Sequence, residues 1–122
     1  MSKKILLVED DKFLSELISK KLISEGFVVN LAFEGEGALD MAKKDQPDLI
    51  LLDIILPGMD GFEILTKLKQ DAGLATIPVM MISNLMQQED IDKALSLGAV
   101  EYLVKSQFTS DEIMDKIKSV VK

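Results

Sequence analysis

Three stretches of this chain carry apolar residues almost without alternation: Lys4–Val8, Asp48–Asp53 and Ile77–Ser83. A strand with one wet face alternates apolar and polar side chains, so a strand that does not alternate is covered on both faces. Two-sided burial is a property of a parallel sheet sandwiched between helices. The intervening segments supply those helices. Lys12–Glu25 spaces Leu14, Ile18 and Leu22 four apart, with Phe13 and Leu17 beside them, and Gly26 stops it. Glu36–Asp45 carries Ala38, Leu39 and Ala42. Asp60–Ala72 turns Leu65 and Leu68 inward and opens on Asp60-x-x-Glu63, a capping-box-like start. Gln87–Leu97 is stopped by Gly98, and Thr109–Val121 opens on Thr109-x-x-Glu112 with Ile113, Ile117, Val120 and Val121 inward. With two more strands at Phe27–Ala32 and Val100–Val104, the chain reads as five β/α units in a row. Right-handed crossovers turn such a series into an open, doubly wound α/β fold. In that fold the functional crevice lies at the carboxyl ends of the strands.

Composition narrows the chemistry available at that edge. The 122 residues contain no cysteine and no histidine. This excludes a disulfide framework, a thiol nucleophile, a Ser-His-Asp triad and any Cys- or His-ligated metal. Carboxylates, hydroxyls and lysine remain. A net charge of −7 argues against direct nucleic-acid binding, which needs a basic face. Lys3 and Lys4 precede only four apolar residues before Glu9-Asp10-Asp11, which is no secretory signal. The run Leu49–Leu56 is interrupted by Asp53 and too short to span a bilayer. The expectation is a single cytoplasmic domain with no membrane partner.

The strand ends are unusually rich in polar groups. The first ends in Glu9-Asp10-Asp11, the third in Asp53, the fourth in Ser83-Asn84 and the fifth in Lys105-Ser106. Taken singly, each has an ordinary explanation: Asp and Asn favour turns, and Asp11 is well placed to cap the helix that follows. Their coincidence on one edge is less ordinary, and Asp53 interrupts an apolar run where a lone carboxylate is costly to bury. Clustered carboxylates recruit a cation, and an oxygen-only donor set favours Mg²⁺ over softer ions. Lysine and a serine hydroxyl suit phosphate oxygens. The set reads as a phosphoryl site whose best nucleophile is a carboxylate.

In this order and spacing the residues resemble the receiver domains of two-component response regulators, of the chemotaxis-regulator type. The pieces are Ile5-Leu6-Leu7-Val8-Glu9-Asp10-Asp11, Asp48-Leu49-Ile50-Leu51-Leu52-Asp53, Leu56-Pro57-Gly58-Met59-Asp60-Gly61, Ile77-Pro78-Val79 leading to Ser83, and Gly98-Ala99 leading to Tyr102 and Lys105. The resemblance runs from Lys4 to Val121. It implies a flavodoxin-like sheet of five parallel strands in the order 2-1-3-4-5 with five helices, one receiver domain over residues 1–122 and no output domain in this chain. It assigns Asp53 as phospho-acceptor, Asp10 and Asp53 as direct Mg²⁺ ligands, Glu9 as a ligand through water and the Ile55 carbonyl as a further ligand. Ser83 and Lys105 would bind the phosphoryl group, and Ser83 with Tyr102 would form the switch. The implied partners are a sensor histidine kinase or phosphotransfer protein and an output protein or missing output domain. The surface implied to respond is the fourth helix, fifth strand and fifth helix.

Several features depart from that pattern or compete with it. The family usually has a cis-proline after the lysine, where this chain has Ser106. A non-proline cis bond costs about 3 kcal/mol, which puts the loop geometry in question. Ile55 and Leu85 are both apolar at positions that in the family govern water access to the phosphoryl group, so slow loss of the group is expected. Gly35-x-Gly37-x-x-Asp40 mimics a dinucleotide fingerprint but lacks the third glycine and reads as a loop and helix start. Met80, Met81 and Met86 read as core and loop packing, since thioethers suit soft metals. A hydrolase using Asp53 as nucleophile is a second reading, weakened because Asp53-Ile54-Ile55 has no second acid. A third is a phosphorylation-independent interaction module, against which the intact acid, serine and lysine set argues.

Overall fold

The computed structural model describes residues 2–121. Its elements are β1 (Lys4–Val8), α1 (Lys12–Ser24), β2 (Val28–Ala32), α2 (Gly35–Asp45), β3 (Leu49–Leu52), α3 (Gly61–Gln70), β4 (Val79–Ser83), α4 (Gln88–Ser96), β5 (Glu101–Val104), a 3-10 turn (Lys105–Gln107) and α5 (Ser110–Val120). All strand pairs are parallel, in the order β2-β1-β3-β4-β5. The expected five-stranded, doubly wound sheet is therefore present, with element boundaries within two residues of those read from the sequence.

The missing alternation has a direct cause. Successive residues of the central strands enter two different cores. Leu6 and Val8, Ile50 and Leu52, and Val79 and Met81 pack against Ala38, Ala42, Ile64, Leu65, Leu68 and Ala94, on the face covered by α2, α3 and α4. Ile5 and Leu7, Leu49 and Leu51, and Met80 and Ile82 pack against Ile18, Leu22, Ile113, Met114 and Ile117 of α1 and α5.

Some expected core positions lie elsewhere. In α1, Ile18 and Leu22 are buried and Leu14 packs at the edge, but Phe13 is 79% exposed and Leu17 is also exposed. One helical step of about 100° rotates these two residues off the stripe that faces the sheet. Val120 and Val121 are only partly buried. Met86 is exposed, unlike the buried Met80 and Met81, because it lies past the end of β4.

α3 stops at Gln70 rather than Ala72, since the Asp71 carboxylate accepts the Gly73 N–H at 2.9 Å and starts a turn that buries Leu74. Asp60 caps α3 by accepting from the Glu63 N–H at 3.0 Å. At α5 the box is reciprocal: Thr109 accepts from Glu112 at 3.1 Å and Glu112 from Thr109 at 2.9 Å. Gly35 and Gly37 form the first turn of α2, capped by the Glu34 carboxylate, which is a helix start as the sequence suggested. No described peptide bond is cis, so Lys105–Ser106 is trans and leads straight into the 3-10 turn. No described helix is long and apolar enough to cross a membrane.

The sheet continues one residue beyond its strands at the functional edge. The Glu9 N–H donates to Ala32 at 3.0 Å, and the Asp53 N–H donates to Val8 at 3.0 Å. These bonds place both acids on neighbouring, rigid strand ends. The segment after Asp53 is then closed by Gly61, whose N–H donates to the Ile54 carbonyl at 2.7 Å. A Cβ at Gly61 would lie 2.4 Å from the Asp53 carbonyl oxygen and 2.6 Å from the Ile54 Cα. Gly61→Ala must therefore push α3 away from the end of β3. We expect a loss of about 1–3 kcal/mol in urea denaturation, typical of overpacking against atoms that cannot yield.

Candidate functional site

Glu9, Asp53 and Lys105 meet above the carboxyl ends of β1, β3 and β5. The Lys105 ammonium donates to the Glu9 carboxylate and, at 2.9 Å, to Asp53 Oδ2. Glu9 is only 1% exposed and Asp53 5%. Burying two carboxylates this deeply is tolerable only because each has donors: Asp53 Oδ1 accepts from the Ile54 N–H at 2.7 Å and more distantly from Ile55, and Glu9 accepts from the Asp11 N–H at 3.2 Å. Among the described residues no buried polar side-chain atom lacks a partner.

The charge balance in this cluster is uneven. One ammonium serves two buried carboxylates. Burial, with the nearby Asp53 charge adding to it, pushes the Glu9 carboxyl up to about 7, against the opposing pull of its bond to Lys105. Burial alone would lower Lys105, but its bonds to Glu9 and Asp53 prevail and raise it. Asp10 stands at the exposed rim. Carboxylate oxygens of Glu9, Asp10 and Asp53 all lie within 4.8 Å of one another. An all-oxygen set with residual negative charge fits a hard divalent cation such as Mg²⁺.

The remaining expected site residues sit around this centre. Ser83 is buried at the end of β4, and its Oγ accepts from the Leu85 N–H at 3.3 Å. The Tyr102 hydroxyl donates to the Leu85 carbonyl at 2.7 Å, so Ser83 and Tyr102 meet through one main-chain residue. Ile55 is 60% exposed, two residues after Asp53. Asp11 is diverted from the cluster: its side chain accepts from the Leu14 N–H at 3.1 Å and caps α1. Three contributors were not legible as site residues: the Ile54 amide, the Leu85 main chain and the close approach at Gly61. The turn signal Pro57-Gly58-Met59-Asp60-Gly61 was the only sequence hint of the last.

A doubly wound sheet whose strand ends gather carboxylates, a hydroxyl and a lysine is the architecture of a phosphoryl-accepting signalling domain. Residues 5–118 match the family model of the response regulator receiver domain, and the chain belongs to that family. It is 43% identical over 105 residues to the response regulator PleD of Caulobacter vibrioides, covering 86% of this chain and 23% of PleD. It is 35% identical over 119 residues to the DNA-binding dual master transcriptional regulator RpaA of Synechocystis, covering 98% of this chain and 49% of RpaA. The chain thus spans half or less of these two relatives. Among solved structures, the chemotaxis protein CheY4 of Vibrio cholerae superposes with a TM-score of 0.91 at 27% identity, covering 98% of this chain and 99% of that one. The BeF3-activated receiver domain of Klebsiella pneumoniae RstA gives 0.90 at 27% identity, covering 98% of each chain. The protein is a receiver domain, a phosphoaccepting switch of two-component signalling.

The Glu9 shift has a measurable consequence. Its folded pKa of about 7 lies above the ordinary 4.5, so between these values the folded chain holds a proton that the unfolded chain releases. The stability this contributes is full below about pH 4.5 and is lost as pH rises through about 7. In chelator, urea denaturation of the wild type should show stability falling across this window relative to Glu9→Gln, whose profile lacks that component. Parallel profiles for the two proteins would refute the assignment.

Proposed function

We propose that Asp53 accepts a phosphoryl group from a sensor histidine kinase or phosphotransfer protein, or from a small phosphodonor. The observation that carries this reading is the Lys105 ammonium shared by Glu9 and Asp53 beside buried Ser83. An Asp53 oxygen forms the new bond to phosphorus while the donor's bond to phosphorus breaks: nitrogen–phosphorus with imidazole leaving from a phosphohistidine, oxygen–phosphorus with carboxylate leaving from an acyl phosphate. Asp53 is held for this by the Ile54 amide, which fixes one carboxylate oxygen and leaves the other toward Lys105. Asp10 and Asp53 would hold Mg²⁺ directly, with the Ile55 carbonyl, and Glu9 through water. When bound, the ion supplies charge neutralisation on the transferring group. Lys105 supplies a second positive charge, and the Ser83 hydroxyl supplies a hydrogen bond to a phosphoryl oxygen.

The switch proposed is local. Drawing Ser83 toward the phosphoryl group loosens its bond with the Leu85 N–H, and Leu85 carries the carbonyl that receives the Tyr102 hydroxyl. Tyr102 and the segment leading into α4 would then move together, remodelling the surface of α4, β5 and α5. That surface would engage an output protein or a further domain of a longer chain. We place the domain in the cytoplasm, working through protein partners, without direct nucleic-acid contact and without turnover of an external substrate. In this reading Glu9 and Asp10, the acids beside Asp53, serve Lys105 and the ion rather than an external substrate, which weakens the hydrolase reading.

Intact mass after incubation with acetyl phosphate and Mg²⁺ tests the core of this. One phosphoryl group should appear on the wild type, disappear with chelator and be absent from Asp53→Asn. An adduct that survives Asp53→Asn would refute the acceptor. The apolar, exposed Ile55 and half-buried Leu85 offer no group to orient an attacking water. The phosphoryl group should therefore be long-lived, and Ile55→Asn should shorten its half-life in a phosphate-release assay.

A further inference from the structure

Among the described residues Met86 is the one methionine whose side chain stands open to solvent. It is 58% exposed, whereas Met80, Met81 and Met114 are buried and Met41 and Met59 pack against the core. The chain has no cysteine, so no thiol competes with the thioethers for an oxidant. Met86 also has a specific neighbour. Its Sδ accepts from the Gln107 side-chain amide at 3.8 Å, a weak bond because a thioether is a poor acceptor.

The two partners belong to different connections. Met86 follows Leu85, whose N–H donates to Ser83 Oγ and whose carbonyl receives the Tyr102 hydroxyl. Gln107 ends the 3-10 turn that begins at Lys105. The contact therefore joins the segment that follows Ser83 to the turn that carries Lys105. Among the described residues no other side-chain hydrogen bond links these two segments.

We propose that Met86 is an oxidation site for hydrogen peroxide, and that its sulfoxide fastens the segment after Ser83 to the turn at Lys105. A sulfur lone pair attacks one peroxide oxygen. The sulfur–oxygen bond forms as the oxygen–oxygen bond breaks. The departing hydroxide takes the proton of the transferred hydroxyl and leaves as water. Sulfur is oxidised by two electrons and the peroxide is reduced. The product is polar, and its oxygen is a far better acceptor than the thioether sulfur. It takes over the Gln107 N–H, so a weak contact becomes a firm one. Met86 and Gln107 are both exposed, so their side chains turn outward to admit the oxygen without disturbing the core. Oxidation and tether stand apart from Asp53. Only their effect on signalling rests on the proposed roles of Ser83 and Lys105.

The test treats the full chain with hydrogen peroxide and follows each methionine by peptide mapping. Met86 should be oxidised several-fold faster than Met41 or Met59, and equal rates at either would overturn the site. Met86→Leu should lose the fastest-forming sulfoxide while the protein stays folded by circular dichroism. Amide exchange over residues 84–87 and 105–107 should be slower in the Met86 sulfoxide than in the unmodified protein. In Gln107→Ala the sulfoxide should still form, but exchange in both segments should stay as it was before oxidation. Unchanged or faster exchange in the oxidised wild type would refute the tether, as would equal slowing in Gln107→Ala. Asp53→Asn should give the same oxidation rate and the same slowing, so failure of the acceptor reading and failure of this one are separable.

Discussion

The site depends on one shared cation. Lys105 bridges Glu9 and Asp53 across three strands of the sheet, and without it two buried carboxylates would face each other with no charge to balance them. Such a pair is costly in a low-dielectric setting, and one cation against two anions leaves the cluster short of positive charge. That shortage explains both the raised Glu9 carboxyl and the fit of the rim, with Asp10, to a hard divalent ion. Structure and chemistry are linked by the same imbalance.

The rest of the fold serves to hold those three side chains at one edge. Both faces of the sheet are sealed by helices, so a one-residue shift of a central strand would move every side chain into the opposite core, against a different set of helices. The main-chain bonds from Glu9 to Ala32 and from Asp53 to Val8 extend that rigid register into the site itself. The segment between β4 and α4 is tied to the site through Ser83 and to β5 through the Tyr102 hydroxyl, so a new charge at the site acts on it through these two side chains.

Lys69 shows the same physics with a different result. It too is a partly buried lysine, but its partners are carbonyls rather than carboxylates. Bonds to Glu9 and Asp53 raise the Lys105 pKa, whereas burial lowers that of Lys69. Two lysines on one small domain are thus shifted in opposite directions by their surroundings.

The amino-acid sequence by itself determined the class of fold and the membership of the acid, serine and lysine set. Non-alternating strands can exist only between two layers, and polar residues at the ends of parallel strands must share an edge. The Thr109 and Asp60 caps and the stops at Gly26 and Gly98 were likewise legible, because they act within a few residues of where they are written. What the sequence could not show are contacts between residues distant along the chain or made by the main chain. Asp11, two residues after Glu9, could be read from the sequence either as a cap or as part of the cluster, and its bond to Leu14 decides for the cap. Phe13 and Leu17 carry core-like side chains, yet the angle of α1 on the sheet leaves them in solvent. Gly61 against the Asp53–Ile54 backbone and Leu85 between Ser83 and Tyr102 act through backbone atoms, which every residue possesses, so only their tertiary placement gives them a role.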